Sequence, residues 1–251
     1  MTDQFYDTLA PYYKYIYQDW EASVARQAKI LDGIIKEFSR IPARSVLDAA
    51  CGIGTQSLGL ARLGYQVSAS DISAGEVEKA REEADSKGLA IDFRVADMRQ
   101  VGQVFAGEFD VVLACDNSVP HLLCDEDLLA AFKEFHHCTK AGGVCLVSVR
   151  DYDQMERQDG LKMYPRTLHA IEGGQLVMFD VWNFSGDQYE ITTYVIEDRG
   201  CEKAETHVLH GGRYYCVGIA TLEQLMLKAG FQKVSVLRER YFQPILVAVK
   251  Y

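Results

Sequence analysis

The sequence predicts an α/β fold: a mostly parallel sheet with helices on both faces, interrupted late in the chain by an antiparallel β insertion. Three observations predict it. Short apolar runs alternate with amphipathic segments through about residue 150, the pattern of βαβ units. Residues 45–72 order a strand, a glycine turn, a helix, a second strand and an acid, the arrangement by which open α/β sheets hold nucleosides. Residues 154–217 break that alternation and carry apolar and polar residues at period two between glycine turns, as hairpins do.

Residues 3–40 read as helical. Phe5, Leu9, Tyr12 and Tyr13, then Ile30, Leu31, Ile34 and Ile35, recur at helical spacing. The tyrosines at 6, 12, 13, 15 and 17 suit core or interface as well as a ligand site. After Pro42, Val46 and Leu47 form a buried strand ending at Asp48. Gly52 and Gly54 allow a sharp turn and close approach of backbone to a ligand. A helix over 55–63, with Leu58, Leu60 and Ala61 inward, stops at Gly64. The strand 67–70 then delivers Asp71. The dinucleotide fingerprint wants a third glycine where this chain has Ser57, and Gly59 is out of register.

The alternation continues. Ser73 is placed to cap a helix over 74–87, and the pairs Glu76–Lys79 and Glu78–Arg81 predict a solvated face. Strand 91–95 leads to Asp97. Strand 109–114 leads to Asp116 and Asn117. A helix over 126–139 and a turn at Ala141, Gly142 and Gly143 precede strand 144–149, which ends at Arg150. A helix over 221–229 stops at Gly230. The strands 233–237 and 245–249 have no helix between them, so they should run antiparallel.

Composition narrows the function. The chain has 251 residues and a formal net charge of −10, with no dense Lys/Arg run, so a nucleic-acid partner is not expected. Seven cysteines are scattered without metal spacing or a C-x-x-C pair, which fits free thiols in a reducing compartment and no metal. The acidic start M-T-D-Q-F-Y-D is unlike a signal peptide. No apolar run nears the roughly 20 residues of a membrane span. A cytoplasmic protein without a membrane partner is expected, and a homo-oligomer fits the sequence.

The segment D-A-A-C-G-I-G-T (residues 48–55) resembles motif I of class I S-adenosylmethionine-dependent methyltransferases. The resemblance continues through Asp71, A-D-M (96–98), C-D-N-S-V-P-H-L (115–122), A-G-G-V (141–144) and V-R-D-Y-D (149–153). It covers most of residues 1–150 and about the last forty. The N-S-x-x-H-L and R-x-Y-D elements are most similar to the glycine/sarcosine N-methyltransferase group. The resemblance implies a Rossmann-like seven-stranded sheet and S-adenosylmethionine as cofactor. It divides the chain into a helical lid (1–40), a cofactor-binding core (41–153 and 218–251) and an antiparallel β cap (154–217).

It also implies roles. The turn at Ala50, Gly52 and Gly54, opened by Asp48, would cradle the methionine part. Asp71 would hold the ribose hydroxyls, beside Ile72. Asp97 and Met98 would meet adenine, and Cys115 the cofactor's amino group. Tyr13, Tyr17, Trp20 and Arg26 would reach down from the lid. Asp97 also reads as a loop N-cap, Cys51 and Cys115 as small buried filler, and Arg26 as a surface ion-pair residue. Arg150 would clamp an acceptor carboxylate, the alternative being an ion pair with Asp151 or Asp153. Asp116, Asn117 and His121 are the candidate catalytic residues. His121 is a possible proton acceptor or a satisfied structural histidine. Asp116 departs from the group, where glycine often stands at that position. Tyr194, Arg213, Tyr214 and Tyr215 from the cap, with Tyr17 and Asn117, are the further candidates to line the acceptor pocket. The expected reaction is in-line methyl transfer to a small molecule, most simply the amine of an amino acid or related compound. O- or C-transfer, a cyclising use of the same donor, and a non-catalytic sensor share these motifs.

Overall fold

The computed structural model describes residues 2–156 and 159–251, the side chains of residues 2 and 3 excepted. Its centre is a seven-stranded sheet. The strands are β1 (Ser45–Asp48), β2 (Gln66–Asp71), β3 (Ile91–Val95), β4 (Phe109–Ala114), β5 (Thr139–Ser148), β10 (Lys233–Leu237) and β11 (Ile245–Val249), in the spatial order β3-β2-β1-β4-β5-β11-β10. The first five run parallel, and β11 lies antiparallel to both β5 and β10. The missing helix between the last two strands predicts this geometry.

Successive strand residues face opposite sides, and both sides are apolar. Val46, Val111, Leu113, Ile245 and Val247 pack towards α2 (Trp20–Phe38), α3 (Thr55–Arg62) and α4 (Ala74–Ser86). Leu47, Val112, Ala114, Leu246 and Ala248 pack towards α5 (Val101–Val104), α6 (Asp125–Cys138) and α7 (Ile219–Lys228). The α2–α3 crossing is close because Gly59 has no side chain: a Cβ there would lie 2.7 Å from Ala28 Cβ and 2.8 Å from the Val24 carbonyl.

A separate four-stranded antiparallel sheet joins β6 (Gly160–Ile171), β7 (Gly174–Ser185), β8 (Gln188–Asp198) and β9 (Glu205–Tyr215) in sequence order. Periodicity marks the later strands of this insertion. It misses β6, whose Pro165 and Arg166 blur the alternation and fall at a register irregularity. The inner face buries Met178, Trp182, Tyr189, Ile191 and Leu209 together with Phe5 and Leu9 of α1 (Thr2–Leu9). The N-terminal helix therefore packs on the second sheet. A short 3₁₀ segment (Ala10–Ile16) then leads to α2.

Two local expectations change. Residues 141–143 lie within β5, where the β4–β5 register skips from Phe109–Thr139 to Val111–Val144. Glu76 does not join a solvated face. It is 2% exposed, and Lys79 pairs with Glu82 instead at 2.8 Å. Glu78–Arg81 does pair, at 2.5 Å. Among the described residues no helix is long and apolar enough to cross a membrane.

Candidate active site

Strand order reverses between β1 and β4, and a cavity of about 420 Å³ opens beyond their carboxyl ends. This is where open α/β sheets bind ligands, and the volume falls within the roughly 300–1,000 Å³ of small-molecule sites. Ala50, Gly52, Asp71, Ile72, Asp97 and Met98 line one part, and Tyr13, Cys115, Asp116 and His121 another.

The glycine turn works as its composition predicts. Gly52 and Gly54 have φ of 51° and 90°, in the left-handed region that favours glycine. Asp71 Oδ2 accepts from the Gly52 N–H at 2.9 Å, and its Oδ1 accepts from the Ser73 N–H at 3.0 Å. One carboxylate thus ties the turn to the start of α4. Beneath it Asp48 is fully buried, with Ser57 Oγ donating to it at 2.6 Å and the Ala50 N–H at 3.4 Å. Burial pushes its carboxyl up to about 7, against the pull of those donors. Ser57, at the position of the missing fingerprint glycine, therefore holds the strand-end acid.

At the far end Asp97 caps a one-turn segment, accepting from the Arg99 N–H at 2.8 Å, and its carboxylate meets the Arg99 guanidinium at 2.6 Å. Burial raises its pKa, but the bonds from Arg99 outweigh that and hold it below the usual range. Arg99 also reaches Asp127 at 2.8 Å. Asp97 is both a loop cap and part of the cavity wall.

At the end of β4 the backbone turns sharply: Asp116 and Asn117 have φ of 60° and 65°. Asp116 Oδ2 accepts from Tyr17 Oη at 2.7 Å, and its N–H donates to Ser148 Oγ at 2.8 Å. Asn117 is 1% exposed. Its Oδ1 accepts from the Arg150 N–H and from Tyr152 Oη, both at 3.0 Å, and its Nδ2 has no partner. Nearby Ser118 Oγ is likewise buried and unpaired.

His121 Nδ1 lies 2.7 Å from the Arg213 carbonyl, which can only accept, so Nδ1 carries the proton. Nε2 then accepts from Tyr6 Oη at 2.8 Å, and Tyr6 Oη lies 2.8 Å from Tyr214 Oη. Burial pushes the imidazole down to about 4, against the bond to Arg213. The ring is neutral near pH 7, with both nitrogens engaged.

Arg150 does not pair with either predicted acid. Asp151 pairs with Arg238, and Asp153 accepts from the Ile219 N–H at 3.1 Å. The Arg150 guanidinium donates to Tyr189 Oη at 2.8 Å and lies 4.9 Å and 5.4 Å from the ring centres of Trp182 and Tyr214. It is not among the residues that line the cavity, although it is near enough to Asp116 for the two charges to interact.

Other expected residues fall outside the wall. Arg26 is exposed on the outer side of α2 and donates to Ser23 Oγ at 3.2 Å, whereas Val24 and Ala28 beside it on the helix pack against Gly59 of α3. Trp20 is buried and donates to Thr55 Oγ1 at 2.9 Å, and Thr55 does line the cavity. Tyr194 stacks on Phe179 at 4.7 Å, facing away from buried Thr193 and Val195. Tyr215 donates to Asp125 at 3.2 Å, and Arg213 contributes its carbonyl. Burial raises the thiol pKa of Cys51 and Cys115, so neither is a thiolate at neutral pH. Sequence reasoning misses Glu76, Arg99 and Gln56 on the wall. The spacing Ser73-x-x-Glu76 hints at Glu76, but as a capping box.

A family described as a methyltransferase domain matches residues 46–143. The chain is 27% identical over 222 residues to a glycine/sarcosine N-methyltransferase of Parasynechococcus marenigrum (strain WH8102), covering 86% of this chain and 72% of that protein. Against the glycine/sarcosine N-methyltransferase of Aphanothece halophytica it is 32% identical over 135 residues, 54% of this chain and 50% of that one. Residues 46–143 are thus a methyltransferase domain. Its fold matches DesVI of Streptomyces venezuelae with a TM-score of 0.79 at 19% identity, covering 98% of both chains. It matches the S-adenosylmethionine-bound amino pentose methyltransferase CalS10 with a TM-score of 0.80 at 16% identity, covering 97% of both. The cofactor of this methyltransferase is S-adenosylmethionine, and the left-handed glycine cradle and the orphaned polar atoms along the cavity fit such a ligand.

Proposed function

We propose that this methyltransferase acts on the amine of a small acceptor that also bears a carboxylate, such as an amino acid. One juxtaposition carries the reading. Asp116 and Arg150 flank Asn117, and among the described residues the ion pairs leave the Arg150 guanidinium without a carboxylate. An ammonium or amine suits the first, and a carboxylate suits a guanidinium fork. The kinship with glycine/sarcosine N-methyltransferases agrees with it.

On this reading residues 1–40 form a lid, 154–217 a cap, and the remainder the donor-binding core. Gly52 and Gly54 admit the donor's backbone-facing part, Asp71 accepts from the ribose hydroxyls, and Asp97 and Met98 meet adenine. Bound S-adenosylmethionine supplies a methyl group already activated by its sulfonium. The protein's task is then alignment and exclusion of water. Asp116, on the cavity wall, would hold the acceptor amine towards that methyl group and accept its surplus N–H proton through a hydrogen bond. His121 positions the wall: its neutral imidazole fixes Tyr6, and Tyr6 fixes Tyr214. Arg150 is not itself among the residues lining the cavity; its guanidinium lies against Tyr214, which Tyr6 holds.

Methyl transfer from tritiated donor to glycine, sarcosine, the matching decarboxylated amines and simple phenols tests this. Labelled amino acid with little labelled amine supports it. Labelled phenol, or tight donor binding with no product, overturns it.

A further inference from the structure

Glu76 is the least explained group on the cavity wall. The spacing Ser73-x-x-Glu76 predicts a reciprocal capping box, in which the glutamate accepts from the Ser73 N–H. Half of that box forms: Ser73 Oγ accepts from the Glu76 N–H at 3.1 Å. The other half is taken, because the Ser73 N–H donates to Asp71. The outer side of the helix start is also occupied. Asp7 of α1 accepts from Ser73 Oγ at 2.6 Å and from the Gly75 N–H at 2.9 Å. Displaced from its cap, the Glu76 side chain turns inward. It is 2% exposed, Oε1 has no partner, and Oε2 would lie 3.2 Å from a Cβ on Gly52.

An uncompensated carboxyl in such a place is unfavourable unless a ligand completes it. Among the described residues no cation is one of the groups that shift its pKa. Asp71 from β2, Asp7 and Tyr6 from α1, Tyr13 from the 3₁₀ segment, Cys51 from the turn and Asp116 after β4 are the titratable groups that face it. We propose that Glu76 is a donor-binding carboxyl that recognises the positive charge of S-adenosylmethionine and distinguishes it from the neutral thioether product. Burial, then the charges of Asp71, Asp7 and Asp116, raise its pKa, which favours the protonated carboxyl while no ligand is bound. A sulfonium favours the carboxylate and expels that proton. Affinity for the donor therefore rises with pH, and affinity for S-adenosylhomocysteine does so less.

Calorimetry on the whole protein tests this without turnover. Donor and product are titrated at one pH in buffers of different ionisation enthalpy. Both ligands carry the same amino and carboxylate groups, so any difference in proton release belongs to the sulfonium. Greater release with the donor is expected, and equal release overturns the proposal. Glu76→Gln keeps the shape and removes the charge. It should weaken the donor about ten-fold and the product less than about two-fold. Parallel losses, or no loss, would show a carboxyl that only fills space.

Discussion

Replacing Arg150 by methionine separates acceptor recognition from structural support. The side chain keeps its length and apolar stem but loses the guanidinium. In the protein alone that costs one hydrogen bond, to Tyr189 at 2.8 Å, and the ring contacts at 4.9 Å and 5.4 Å. Each ring contact is worth about 0.5–1 kcal/mol. Removing a part-enclosed charge that no carboxylate neutralises offsets much of this. Stability should thus change by no more than about 1 kcal/mol. With a carboxylate-bearing acceptor the loss is larger, because charged hydrogen bonds contribute about 1.5–3 kcal/mol each. A bidentate pair at the lower end gives about 3 kcal/mol, or roughly a hundred-fold in kcat/KM. Arg150→Lys, which retains charge without the fork, should recover part of it. Initial rates with glycine and with methylamine, beside a urea unfolding curve, give the answer. Equal loss with both acceptors would refute the reasoning, as would an unfolding midpoint that falls in step with activity.

Other expectations follow from the same geometry. Asp71→Asn should weaken donor binding by about 1–3 kcal/mol in calorimetry, and an unchanged Kd would remove the ribose role. Gly59→Ala should destabilise the protein by roughly 1–3 kcal/mol through the α2–α3 contact, read as a lower unfolding midpoint. His121 has a folded pKa near 4, below the unfolded value of about 6.5. Between these the unfolded chain binds more protons, so this residue's contribution rises with pH and is complete above about 6.5. Its limit is about 3 kcal/mol, reduced by the ring's partial exposure. Asp48, raised to about 7, slopes the other way over about pH 4–7. The stability difference between wild type and His121→Asn should therefore grow from pH 4.5 to 7, and a constant difference would contradict the neutral ring.

Much of this was readable from residues because the relevant constraints are local. Gly52 and Gly54 announce left-handed backbone, and the runs at β1, β4 and β11 announce strands apolar on both faces. Asp71 was predictable because a strand end fixes where its side chain goes. Glu76 escapes sequence reasoning for a reason that periodicity cannot show. Its cap site is occupied by Asp71, and the helix start by Asp7, 69 positions upstream of Glu76 in a different element. The sequence places Arg150 just after β5, but its surroundings depend on which partners Asp151 and Asp153 find across the fold. Tyr194 and Tyr215 show the same limit. Strand alternation says that a residue faces one side, and packing of the second sheet decides which side meets the cavity.

The backbone at Asp116 sets stability and chemistry against each other. At a φ of 60° glycine is the most comfortable residue, and aspartate remains only because its short polar side chain tolerates this region better than most. A population screened for heat resistance alone would drift towards glycine at 116 and lose the carboxylate that Tyr17 holds. A population screened for acceptor choice would keep the aspartate and accept the looser fold. On the proposed function, substitutions made to stabilise the protein should therefore leave residue 116 alone.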